Sequence, residues 1–145
     1  SCVRVARLFG FDPKVAFLSH STFGKPISKN TRHVRDAIQK LKKEKVDFDF
    51  DGEMQPDVAL NPIYQEIYPF SKIVGNANIL IMPALHSAAI STKLMKVFGG
   101  GKLIGPLLIG LGLPIEVAPL RASTSEILNL ASIASYSSGI IDYSN

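Results

Sequence analysis

Residues 78–115 read NILIMPALHSAAISTKLMKVFGGGKLIGPLLIGLGLPI, and only Lys93, Lys96 and Lys102 carry a full charge in that run. Ile79, Leu80, Ile81 and Met82 form an apolar block of strand length, the most buried strand expected in the chain. Pro83 interrupts it, and His86 leads into a predicted helix over residues 87–98 that the glycines at 99–101 end. Residues 103–111 and 114–118 flank Gly112 and predict an antiparallel hairpin. A run this apolar belongs inside a layer of sheet and helix.

Working outward, residues 1–9 read as the end of a helix that Gly10 stops. Residues 14–19 (KVAFLS) follow Asp12-Pro13 as a buried parallel strand. A Ser/Gly/Pro loop leads to Asn30 or Thr31, either of which can cap a helix to about Lys45 with Val34, Ala37, Ile38 and Leu41 on one face. Residues 46–51 (VDFDFD) alternate apolar and acidic, which predicts a strand with one wet side. Pro56 can open a helix continued by Val58, Ala59, Ile63 and Ile67, and Pro62 must strain or divide it. Thr124 is the expected cap of a last helix to about Ser137, with Ile127, Leu128, Ala131, Ile133 and Ala134 as its core face, and the tail from Gly139 is expected to be loose. Strands alternating with helices predict one compact α/β unit over residues 1–145: a three-layer α/β/α sandwich, mostly parallel, with an antiparallel edge hairpin.

Composition narrows the function. At 145 residues, 46% hydrophobic and 19% charged, the chain suits one well-packed domain. The net charge of +4 is mild, and its basic block at residues 25–45 lacks interleaved aromatics, so it reads as a solvated helix face and no nucleic-acid partner is expected. Cys2 is the only cysteine, which excludes an intrachain disulfide and a cysteine metal cluster and fits a reducing cytoplasm. No apolar run reaches the ~20 residues of a membrane helix. The chain has no signal peptide and begins at Ser1, which predicts a piece of a longer protein.

Several residues could carry chemistry. Ser19, Ser21, Thr22 and Gly24 lie in a loop between a strand and a helix, where hydroxyls and backbone N–H groups suit an anion; the alternative is a loop that satisfies its own backbone. Asp51, Glu53 and Asp57 cluster around Gly52 and could serve a metal or general acid–base work, although capping and turn-making explain them better. His86 opens a helix as a ligand-facing residue would, or merely as a polar helix start. His20 and His33 have no metal or triad spacing.

Phrases spread over nearly the whole chain resemble the C-terminal half of the phosphate acetyl/butyryl-transferases. They are VAFLS at 15–19, STFG at 21–24, DGEMQPDVA at 51–59, ANILIMP at 77–83, Lys93-Leu94, IGPLLIGL at 104–111 and Ile127-Leu128-Asn129. The version fused behind bacterial malic enzymes looks most similar. The resemblance implies a fold built to bring acetyl-CoA and phosphate together. In active members the loop before the last helix reads Ser-Arg-Gly, then an Asp just before Ile-Val-Asn; the serine and aspartate are taken to handle the CoA thiol, and the arginine to hold phosphate or the acyl oxyanion.

Here that segment is LRASTSEILN at 120–129. Arg121 stands in place, Leu120 replaces the serine, and Glu126 falls on the aspartate only if the gap lies upstream. The resemblance therefore implies no catalytic residue in this segment, and a site for acetyl-CoA or phosphate from Ser19, Ser21, Thr22, Gly24, His86, Arg121 and Glu126. It implies no cofactor or metal here, with NADP or NAD and a divalent metal in an upstream catalytic domain. It further implies acetyl-CoA as effector, a homodimer through this domain, a higher homo-oligomer in the full protein, and no membrane partner. The alternative is a piece of an active phosphate acetyltransferase.

Overall fold

A computed structural model of the chain describes residues 1–138; the expectation of a loose tail from Gly139 lies outside the described residues. The elements run α1 (Cys2–Leu8), β1 (Lys14–Leu18), α2 (Arg32–Leu41), β2 (Asp49–Met54), α3 (Pro56–Leu60), β3 (Ile79–Ile81), α4 (Leu85–Phe98) and α5 (Thr124–Ser138). Short 3-10 turns precede α2 and follow α3. Where one compact unit was expected, the chain divides into two: Cys2–Lys93, and Leu94 onward.

In the first unit the three strands are all parallel, in the order β2-β1-β3. β1, not β3, is the central strand. A central parallel strand is covered on both faces, which explains why KVAFL is apolar almost throughout. Val15 packs with Val34 and Ile38 of α2, Phe50 and Ile79, with Val3 and Ala6 of α1 against them. Ala16 and Leu18 point the other way, into Met54, Ala59 of α3, Ile73 and Ala77. Helices on both faces of a parallel sheet give the expected α/β class and layering. β3 takes an edge, so only Ile79 is buried and Leu80 and Ile81 are half-covered.

Several boundaries differ from those read in the sequence. β2 lies three residues later than the alternating run, and its buried carboxylates are bonded rather than wet: Asp51 accepts from the backbone N–H groups of Gly52 (2.9 Å) and Lys72 (2.8 Å). α2 stops at Leu41, four residues before Lys45, as the N–H groups of Lys43 and Glu44 turn back onto Lys40 and Leu41. α3 stops at Leu60; Asn61 caps the next turn through Ile63, and Ile63 and Ile67 are exposed. Pro62 divides the helix as its missing N–H requires.

In the second unit residues 103–118 form no strand, so the expected hairpin is not there. Pro106 and Pro114 cannot donate to a ladder, Gly105 is at φ +124°, and the Leu108 N–H donates to the Glu116 carboxylate at 3.4 Å. In α5 only Leu130 is buried; Ile127, Leu128 and Ala131 of the expected core face are exposed. Apolar residues lie all around that helix, so its periodicity marks no single face.

Candidate functional site

In a parallel sheet ligands gather beyond the carboxyl ends of the strands, where strand order reverses. The chain steps from β1 to β2 on one side and then to β3 on the other, so the reversal falls between β1 and β3. The loop at residues 19–24 leaves β1, and His86 follows β3 as the second residue of α4. The fold thus brings these predicted residues to the same edge of adjacent strands. His33 of α2 is there too, its Nε2 3.2 Å from the Pro83 carbonyl oxygen.

The loop itself is held from below by Glu53, which is 1% exposed. One Glu53 carboxylate oxygen accepts from Ser21 Oγ (3.1 Å), the Gly24 N–H (3.1 Å) and the Arg35 guanidinium (3.3 Å). The Glu53 carbonyl accepts from the Phe23 N–H at 2.7 Å. Ser19 Oγ accepts from the Ser21 N–H at 3.3 Å, and Thr22 Oγ1 accepts from the Gln55 N–H at 3.1 Å. Ser19, Ser21 and Thr22 are all buried. Their hydroxyls and the N–H groups at 21–24 are therefore engaged within the protein, while His20 and His86 are exposed. Buried carboxylates persist when paired and hydrogen-bonded, and Glu53 is both. Asp57 lies exposed in the first turn of α3, and among the described residues no group of three His, Cys, Asp or Glu is placed to hold a metal ion.

The other two predicted residues belong to the second unit. Arg121 is exposed in the turn closed by the Ala122 N–H on the Pro119 carbonyl (2.9 Å), and Leu120 beside it is fully exposed at 103%. Glu126 completes a capping box. Its carboxylate accepts from the Ser123 N–H (2.8 Å) and Ser123 Oγ (2.9 Å), and the Glu126 N–H donates back to Ser123 Oγ (3.3 Å). Ser123, rather than Thr124, is the cap, and the Ser-x-x-Glu spacing carries that signal in the sequence. Lys96 of α4 reaches Glu126 at 3.4 Å.

The Ser123 N–H, then its hydroxyl, then Lys96 hold the Glu126 carboxyl below its ordinary value of 4.5. A depressed carboxyl supports the fold above its unfolded value and loses that support as pH falls through its folded value. The Ser123 amide resonance should therefore titrate with a midpoint below 4.5; a midpoint at or above it would mean that the box does not form.

A cavity of about 300 Å³ opens in this unit, with Lys96, Lys102, Ser123, Ser125, Glu126 and Asn129 among its lining residues. Arg121 is not part of its wall. Sequence reading missed Lys102 and Asn129, which have no motif spacing and meet only through the turn after α4. Among the described residues no helix is long and apolar enough to cross a membrane.

Comparison with known proteins adds the family. Residues 1–135 match the phosphate acetyl/butaryl transferase family. The NADP-dependent malic enzyme of Rhizobium meliloti is 47% identical over 135 residues, 93% of this chain and 18% of the relative. The phosphate acetyltransferase of Staphylococcus epidermidis is 38% identical over 135 residues, 88% of this chain and 41% of the relative. Among solved structures, the EutD phosphotransacetylase from Staphylococcus aureus has a TM-score of 0.82 at 34% identity, covering 93% of this chain and 42% of that one. The chain thus spans less than half the length of these relatives.

Proposed function

This chain belongs to the phosphate acetyl/butaryl transferase family, and from that premise we propose that it is the non-catalytic, acetyl-CoA-responsive C-terminal part of an NAD(P)-dependent malic enzyme. The parent protein would oxidatively decarboxylate malate to pyruvate in the cytoplasm, with its dinucleotide and divalent metal in another domain. The observation that carries this reading is the segment at 120–126: Arg121 stands where the resemblance puts the family's anion-holding arginine, while Leu120 stands where it puts the thiol-handling serine. The 47% identity to a malic enzyme over nearly the whole chain supports the choice of parent.

The effector site in this reading uses Arg121 against a phosphate or the thioester oxygen. Arginine's planar fork suits such groups, and lysine is no equal substitute. In the intact protein, Arg121→Ala should weaken acetyl-CoA binding by about tenfold or more, the loss of one charged hydrogen-bonded contact. Malate turnover without effector should stay near wild type. An unchanged effector response would make Arg121 structural. A second reading, part of an active phosphate acetyltransferase, draws on the 38% identity to the Staphylococcus epidermidis enzyme.

The assembly role rests on exposed apolar surface. Leu94, Met95, Val97 and Phe98 of α4 are exposed, as are Leu108, Ile109, Leu111 and Leu113. A surface of this kind marks an interface, and two-fold pairing is the commonest way to cover one. Light scattering on the chain at tens of micromolar should give a homodimer that Leu108→Asp or Ile109→Asp breaks. A clean monomer would end the dimer proposal.

A further inference from the structure

The turn at the tip of the loop at residues 19–24 carries a side chain that its backbone disfavours. Phe23 has φ +47° and Gly24 φ +84°, and Thr22 and Lys25 exchange backbone hydrogen bonds of 2.9 and 3.0 Å across them. A two-residue turn with positive φ at both positions favours Asn-Gly, Asp-Gly or Gly-Gly. A phenylalanine there is an outlier, and such an outlier persists only where the surroundings over-determine it. From below, the Glu53 carbonyl and carboxylate accept from the Phe23 and Gly24 N–H groups. From the side, the Phe23 ring meets Phe70 edge-on at 4.8 Å between centroids and Tyr68 at 5.3 Å. Those two rings stand 6.1 Å apart, in a segment that Asp51 anchors by accepting from the Lys72 N–H at 2.8 Å. Phe70 is 64% exposed, so burial in the core does not account for its place.

From these features we infer that Phe23, Tyr68 and Phe70 form a latch: their rings hold the loop closed, which makes Phe23 a positioning residue for the ligand edge beyond β1. The latch stands on the ring geometry alone, and its link to a ligand rests on the acetyl-CoA reading above. Each ring pair favours the closed loop by roughly twofold to tenfold, and a ligand that binds the closed loop favours it further. Opening frees the N–H groups of residues 22–25, all bonded in the closed loop, so their hydrogen exchange reads the latch.

Amide exchange is followed in the intact protein. Phe70→Ala should speed exchange at residues 22–25 by about tenfold and leave the β1 amides unchanged, whereas Phe70→Tyr should keep the wild-type rate. Phe23→Gly separates ring from backbone. Glycine relieves the positive φ and would slow exchange if the ring did nothing; with the latch lost, exchange speeds up. Adding Phe70→Ala to Phe23→Gly should then change little, because both remove the same contact. Saturating acetyl-CoA should slow exchange at residues 22–25 of the wild type. Unchanged or slower exchange in Phe23→Gly, no effect of Phe70→Ala, or equal acceleration along β1 would overturn the latch. Acetyl-CoA that binds without altering exchange at residues 22–25 would overturn the positioning role. A protein that does not bind acetyl-CoA would instead sink the proposed function, and the ring variants would still decide the latch.

Discussion

Gly52→Ala should unfold the first unit or leave it barely stable. Gly52 lies in β2 at φ +142°, a conformation that side chains rarely adopt, and a Cβ there would fall 2.6 Å from the Phe17 carbonyl oxygen and 3.0 Å from Phe17 Cβ. Both obstacles belong to the central strand, which is packed on two faces and cannot move aside. The pairing of β1 with β2 also slips by one residue just after this point, from Phe17 opposite Gly52 to Leu18 opposite Met54. Backbone strain and overpacking together should cost roughly 3–5 kcal/mol, a large part of the ~5–15 kcal/mol of a typical domain. Glu53, the next residue, holds the loop at 19–24 through Ser21 and Gly24, so the loop should lose order as well. Denaturant unfolding of the variant measures the loss; a change under about 1 kcal/mol would mean that β2 adopts another path at Gly52.

The second large effect is on acyl transfer. Formation of acetyl phosphate from acetyl-CoA and phosphate should stay below about 1 s⁻¹, the low end of ordinary enzyme turnover. Leu120 can neither accept nor donate a proton. Glu126, the only carboxylate near the aspartate's place in the sequence, is committed to Ser123 and Lys96 and held below 4.5. A base that weak takes a proton from a thiol of ordinary acidity, near 8.5, only with difficulty. Loss of general acid–base help alone is ~10²–10⁴-fold. For the same reason Leu120→Ser by itself should restore no turnover. Turnover above that limit in the wild-type chain would return the transferase reading to first place.

What was legible in the sequence follows from what local chemistry decides. The alternation of short apolar runs with helix signals gave the α/β class, and KVAFL named a strand because a buried parallel strand needs no polar face. Strand order was not legible: Ile79-Leu80-Ile81 is as apolar as β1, and only tertiary pairing puts it at an edge. The hairpin failed because hydrophobicity at 103–118 was read as strand, while its prolines and Gly105 deny it a ladder. The polar residues of the loop at 19–24 were found as a group, but their engagement with Glu53 depends on a partner some thirty residues away in the sequence (Ser21 to Glu53, |i−j| of 32). The capping box at Ser123 and Glu126 was readable from spacing. The cavity was not, since Lys102 and Asn129 meet only in the fold.

In the proposed function this family member senses acetyl-CoA rather than turning it over. The direct measurement is a titration of acetyl-CoA into the intact protein while malate-dependent reduction of NADP or NAD is followed, with phosphate present and acetyl phosphate assayed in parallel. Malate turnover should change saturably with acetyl-CoA, with no acetyl phosphate above background. Malate turnover indifferent to acetyl-CoA, with acetyl phosphate accumulating, would contradict it.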